Sequence, residues 1–317
     1  MRTKLLLAVS LLAVVGLLAG CGKTNSVNDP AATAPTASAA EQAKVASTLS
    51  SEPALVEDGL AENADVTSFD ATPGTLAAIQ PLRFWRTITD VQRSFQFAFS
   101  DTDSTGRPTR AVVVVNKLLT GTFNILTGVP GDSDSVTVIR KPLKDHWVRR
   151  ILLKRVPGDG EDGLPEWRIV ATSGVKVTSR NATTGIQSLR VQAPGLDTTL
   201  TDPLAFQFLR RIVRLNPGDQ VTLTVTTLRN DNVVVTMIFG HRVRFHNNGD
   251  GTYTATWTVP TWMGGGDGAA NFGVPVLHFG VNALSHGTLY DDTAPYDSQA
   301  WVLPFLIVPN ELADQEP

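Results

Sequence analysis

Nucleophilic catalysis of the serine type needs a serine, a histidine and usually a carboxylate brought together, often with a G-x-S-x-G elbow between a strand and a helix. No such pentapeptide occurs among the 317 residues. The five histidines, His146, His241, His246, His278 and His286, are scattered over expected strands and strand ends. His241 and His246 have an odd spacing, which turns them to opposite faces of a strand. Zinc sites want short His, Cys or carboxylate spacings such as H-E-x-x-H, and none is present. Glycoside hydrolysis would need two acids held roughly 5 to 10 Å apart on rigid elements. Glu166 and Asp145 are the acids outside turns that the pattern offers, and spacing alone does not bring them together. The expectation is a chain with no catalytic residues and no cofactor.

Binding chemistry is better represented. Asp101-Thr-Asp103-Ser-Thr105-Gly106 begins like a calcium loop, but Val112 stands where an EF-hand needs its bidentate carboxylate. Asp159, Glu161 and Asp162 fall in another acidic turn. Asp291, Asp292 and Asp297 group near an expected strand end and are the best candidates for weak calcium binding, against the plainer role of aspartates as turn caps. Between Arg140 and Arg155 lie Arg140, Lys141, Lys144, Arg149, Arg150, Lys154 and Arg155, with Asp145 the one acid and Trp147 among them. Such a basic hairpin could grip an anionic glycan, a lipid headgroup or phosphate. It could equally be a solvated face that guards a sheet edge. Trp262, just before three glycines, is a candidate sugar-stacking platform, whereas Trp257 alternates with Tyr253 as a core residue would, and Trp301 raises the same question of exposure.

The elements that must hold these residues read as β. In VQRSFQFAFSD the residues Val91, Phe95, Phe97 and Phe99 alternate with polar ones, the pattern of a half-buried strand. RAVVVVN, GTFNIL, SVTVIR, EWRIVATS, GVKVTSR and GIQSLRVQ continue the series, punctuated by Pro-Gly-Asp turns. PLKDHWVRRILLKRV fits a strand or a helix with Pro142 in its first turn, since Leu143, Trp147, Val148, Ile151 and Leu152 would also form a helical stripe. Ala39 to Ala64 holds helix formers interrupted by Pro53 and Gly59, enough for one or two short helices. A net charge of -3 gives no general pull toward nucleic acid.

The chain opens with Arg2 and Lys4 and then an uncharged apolar run from Leu5 to Gly20, shorter than a membrane span needs. Leu18-Ala19-Gly20-Cys21, ending at the only cysteine, resembles the lipobox of bacterial lipoprotein precursors. That resemblance implies a removed leader (1–20), acylation of Cys21 (a thioether-linked diacylglyceryl and an amide-linked chain such as palmitate), and attachment to the cell envelope. With Gly22 after the cysteine, the family's sorting rule favours the outer membrane. Such an anchor with two or three chains is durable. With no other cysteine, stability must come from packing and sheet hydrogen bonds.

NPGDQVTLTVTT and NNGDGTYTATWTVP resemble strands of bacterial immunoglobulin-like or fibronectin type III-like modules. Residues 75–192 resemble, more distantly, the cone of nuclear transport factor two-like domains; a second sandwich or a small barrel explains the same alternation. The fold class expected is therefore mainly β in two domains. A tether with short helices (21–74) leads to a β-rich proximal domain (75–192), a linker (193–205), an immunoglobulin-like β-sandwich (206–309) and a tail (310–317). The function expected is a non-enzymatic envelope scaffold, adhesin or binding module with an envelope protein or glycan as partner. A ligand-binding or hydrolytic pocket in residues 75–192 is the alternative.

Overall fold

Alternating apolar and polar residues fold this chain into long antiparallel strands whose inner positions bury one face. The computed structural model describes residues 38–59, 67–68, 79–128, 136–156, 166–238, 241–261 and 276–308. In order these form helices α1 (Ala39–Ser51) and α2 (Pro53–Val56), then strands β1 (Thr67–Ser68), β2 (Pro81–Thr102), β3 (Pro108–Thr127), β4 (Thr137–Arg155) and β5 (Trp167–Ser179). They continue as β6 (Ile186–Ala193), β7 (Leu196–Leu200), β8 (Phe206–Phe208), β9 (Val213–Leu215), β10 (Gln220–Thr227), β11 (Val233–Ile238), β12 (His241–Arg244), β13 (His246–Asn247) and β14 (Thr252–Thr258). Strand β15 (Val276–Leu284), helix α3 (His286–Tyr290) and β16 (Ser298–Ile307) complete them.

The larger sheet runs β1-β2-β3-β4-β5-β16-β15-β11-β12, with β8 beside β5 and β9 beside β16. The smaller runs β13-β14-β10-β6-β7. All pairings are antiparallel except β9 with β16. The ambiguous segment PLKDHWVRRILLKRV is strand, because β4 pairs along β3 without a break from Thr137 opposite Thr127 to Lys154 opposite Arg110. That ladder, joined by β5 on the other side from Asp145 to Arg155, gives the backbone the partners a helix would otherwise have supplied, and it also sends Leu143, Trp147 and Ile151 to one buried face.

The larger sheet is strongly curved and unclosed. Register shifts in β2 between Ile88 and Asp90, and in β4 between Arg149 and Ile151, add local bends. Gly121 sits at the first: a Cβ there would lie 2.0 Å from the Thr87 carbonyl oxygen, so only glycine lets β2 and β3 approach. The curvature brings the far strands together. Phe84 and Phe123 share a core cluster with Val233 and Val235, and the Arg242 guanidinium of β12 stands 5.6 Å from the Phe84 ring of β2.

Strand β16 is buried on both faces. Trp301, Leu303 and Phe305 pack into the smaller sheet's Leu189, Val191, Leu223, Val225 and Tyr253, forming a sandwich. Val302 and Leu306 face the concave side with Trp147, Val175 and Val177. Both-sided burial is the reason AWVLPFLIV is a continuous apolar run.

The mainly β, sandwich-containing reading holds. The boundary at 193–205 does not separate the sheets: β5 pairs with β16, β6 pairs with β10, and β7 occupies part of the expected linker. The sandwich needs Ile186, Leu189 and Val191 from before that boundary to fill its core, so residues 35–317 fold as one unit. The short helices expected after the leader are present, but they are no part of a loose tether. Ser38 caps α1 by accepting from the Glu41 N–H, and Val45, Leu49, Leu55 and Val56 are buried against the sheet.

Candidate functional site: a cleft on the concave sheet

Paired residues on neighbouring strands point to the same side, so the register writes out the concave face row by row. One row runs Lys117, Trp147, Val177, Ala300, Asn282 and Val235. The next runs Val115, Arg149, Val175, Val302, Gly280 and Met237. Arg86, Lys117, Lys141, Asp145 and Arg149 are all buried there. Charged groups are rarely buried without partners, and their partners define two polar sites.

The first lies beside a cleft between the two ends of the sheet. Phe84, Arg86 and Phe123 form one wall, Val235, Met237 and Arg242 the other, and Gly280, Asn282, Ala300 and Val302 the floor. It is small and narrow, a cavity of about 40 Å³. Arg86 is held by Asp145 at 3.6 Å, and the Tyr296 hydroxyl donates to the same carboxylate oxygen at 3.1 Å. The Phe123 and Tyr296 ring centroids are 5.0 Å apart. Burial pushes the Asp145 carboxyl up to about 6, partly offset by the Arg86 charge and the Tyr296 hydrogen bond. Burial, reinforced by Asp145, pushes the Tyr296 phenol far up. On the floor, Asn282 accepts from the Ser298 hydroxyl at 2.6 Å.

The second site pins the helical segment against the sheet. Arg149 Nη1 donates to the Leu55 and Glu57 carbonyls at 3.0 Å each, and Thr172 Oγ1 to the Leu55 carbonyl at 3.2 Å. Trp147 Nε1 donates to the Asp58 carboxylate, and Glu57 pairs with both Lys117 and Arg93. Arg155 and Trp167 both donate to Glu41. Burial lowers Arg149 to about 10, with Asp58 opposing. Burial together with the Arg149 charge lowers His278 to about 3, so its ring is neutral; Asp58 pulls the other way.

The basic run is split by the two-residue period of β4. Lys141 and Arg149 point inward; Arg140, Lys144 and Lys154 are exposed on the opposite face; Arg150 is half-buried, 4.7 Å from the Phe206 ring centroid. The expected single anionic-ligand surface is therefore not formed. Lys141 Nζ donates to the Gly287 and Asp291 carbonyls, and burial lowers it to about 8, with Asp291 and Asp292 opposing.

That lysine supplies the positive charge at the calcium candidates. Asp291 caps its turn by accepting from Thr293 N, Thr293 Oγ1 and Ala294 N. Asp297 is buried and accepts from Thr183 N, Thr183 Oγ1 and Thr184 N, tying β16 to the β5–β6 connection. Asp292 is exposed. Among the described residues no group of three or more His, Cys, Asp and Glu side chains could hold a metal ion. Asp103 likewise caps a turn, accepting from Thr105 and Arg107.

Of the remaining candidates, His146 pairs with Asn116, His286 stacks on Tyr290, His246 is exposed and His241 belongs to β12. Glu166 binds Lys44 and Arg155, away from the partners of Asp145. Trp301 is core and Trp257 packs edge-on to Phe305. Cys21, Asp159, Glu161, Asp162 and Trp262 lie outside the described residues. The residues that sequence reasoning missed are Arg86, Arg242 and Tyr296. Arg86 had a readable signal: it occupies the apolar parity of β2, between Phe84 and Ile88.

No family model matches the chain, and neither the curated proteins nor the solved structures contain a match to it. No helix among the described residues is long and apolar enough to cross a membrane.

Proposed function

We propose that this chain is a non-catalytic envelope lipoprotein, held at the outer membrane by acyl chains on Cys21, that binds a small ligand in the cleft of its curved sheet. The observation that carries the reading is the cleft. Its lining is concave and mostly apolar with a few fixed polar groups, the chemistry of a small-molecule site, and its volume of about 40 Å³ admits only a small group. Its polar groups are recognition groups, guanidinium and amide, and they are immobilised by Asp145 and Ser298 before any ligand arrives. The leader and the lipobox-like Leu18–Cys21 support the location.

Native mass spectrometry of the protein taken from envelopes tests both halves. The expected mature chain begins at acylated Cys21 and releases a bound small molecule on unfolding. Ala300→Trp, which fills the floor, should abolish the release while the anchor remains. An unacylated chain overturns the location, and a bound molecule indifferent to Ala300→Trp overturns the cleft.

A further inference from the structure

We infer that the convex side of the larger sheet carries a docking surface for an anionic phospholipid membrane, with Phe208 entering the acyl region and Lys154, Arg168, Arg210 and Arg211 meeting headgroup phosphates. The choice of a membrane as partner rests on the location proposed above, while the surface itself rests on the register.

Cross-strand pairs write out the convex face as they do the concave one. Lys154 of β4 stands opposite Arg110 of β3 and Arg168 of β5, so three strands set three cations side by side. Like charges placed opposite one another cost stability, and β4 is an interior strand, so this row guards no sheet edge. It is not the basic run along β4 in another form, since of that run only Arg150 and Lys154 take part. Strand β8 extends the face: Phe208 pairs with Ala171 and Phe206 with Ser173, and the Arg150 guanidinium lies 4.7 Å from the Phe206 ring centroid. The single turn Leu209–Arg211 then exposes Arg210 and Arg211. Among the described residues no acid pairs with Arg110, Lys154, Arg168, Arg210 or Arg211. Nearby in sequence, Glu166 is held by Lys44 and Arg155, Asp197 by Arg190, and Asp202 accepts from the Leu204 N–H.

The apolar part of the surface decides between anionic partners. Phe208 is 48 % exposed. Beside it a groove of about 320 Å³ is lined by Leu200, Phe206, Phe208, Val213, Leu303 and Pro304, with Arg211 in its wall. An acidic glycan would answer the cations but leave Phe208 and the groove in water, whereas a lipid surface covers both. Aromatic and aliphatic groups among Lys and Arg are what binds the boundary between headgroups and acyl chains. The chain also enters the fold at this end of the sheet. Glu41, in the first turn of α1, accepts from Arg155 and Trp167, the sequence neighbours of Lys154 and Arg168. Residues 22–37 reach at most about 60 Å, so a body tethered at Cys21 stays close to its membrane.

Co-sedimentation with vesicles of residues 35–317, which fold as one unit and carry neither leader nor Cys21, tests this. The fragment should bind phosphatidylcholine vesicles containing phosphatidylglycerol at least about tenfold more tightly than phosphatidylcholine alone. Raising salt from about 0.1 to 1 M, which shortens the screening length from about 10 to 3 Å, should remove that preference. Arg168→Gln combined with Arg211→Gln should weaken binding to the anionic vesicles about 25-fold, at about fivefold for each cation, and Phe208→Ala about tenfold. In Phe208→Trp, brominated acyl chains should quench fluorescence beyond the quenching seen in the unsubstituted fragment, a readout that holds should the charge variants misfold. No preference for anionic vesicles, or a preference that the substitutions leave intact, overturns the surface. Retention on an acidic polysaccharide without vesicle binding overturns the membrane as its partner. Because the fragment carries no acyl chain, each of these failures leaves the anchor at Cys21 standing, and an unacylated native chain leaves this surface standing.

Discussion

The two faces of β16 border two differently made interiors. On the sandwich side the core cluster is Ile186, Leu189, Val191, Val221, Leu223, Val225, Phe279, Leu303 and Phe305, and its one ionisable member among the described residues is the Tyr253 phenol. On the concave side the same sheet buries Arg86, Lys117, Lys141, Asp145 and Arg149. An interior of apolar side chains alone is the cheaper way to hold a sheet. The sandwich is therefore the support, and the concave side is where the molecule gives up stability in exchange for placed charges.

The contrast can be broken most severely from the sandwich side. Phe305→Ala should cost about 3 to 5 kcal/mol in urea unfolding, while the molecules that remain folded bind as before. On the concave side, Arg149→Ala removes the donor from the Glu57 carbonyl and leaves the Leu55 carbonyl with Thr172 alone. It should cost about 1 to 3 kcal/mol, and hydrogen exchange should quicken first in residues 39–58.

Acid and base dependence sharpens the comparison, because the concave groups titrate abnormally. Asp145 rises from 3.8 to about 6, so between those values the folded chain keeps a proton the unfolded chain has released, and stability falls as pH rises through that window. His278 falls from 6.5 to about 3, so the unfolded chain gains a proton the folded one refuses, and stability falls as pH drops from 6.5 toward 3. The two slopes oppose each other. Asp145→Asn should leave a steeper acid loss and His278→Gln a shallower or inverted one, read from urea midpoints between about pH 3 and 7. The smallest effect belongs to the convex face of β4: Lys144→Ala, fully outside both interiors, should change stability by less than about 0.5 kcal/mol.

Much of this architecture was legible. Alternation gave the strands, and Pro53 and Gly59 bounded the short helices. The face of each basic residue in β4 followed from period two as soon as strand was chosen over helix, so the run could not have been one surface. What local pattern does not carry is partnership. Arg86 and Arg242 line one cleft only because the sheet curls its ends together, and nothing near either residue announces the other. The sandwich strands of 206–309 resembled a self-contained module, yet their core is completed by β6, whose short GIQSLRVQ pattern looks the same in any sheet. The aspartates were correctly seen as close in sequence, but Asp297 is turned inward to Thr183 while Asp291 closes its own turn.

Strand β16 follows in sequence every strand it joins, yet it lies between β5 and β15 and seals both interiors. A chain emerging from the ribosome can complete its smaller sheet at β14, but neither interior can close until β16, Ser298–Ile307 of 317 residues, has been made.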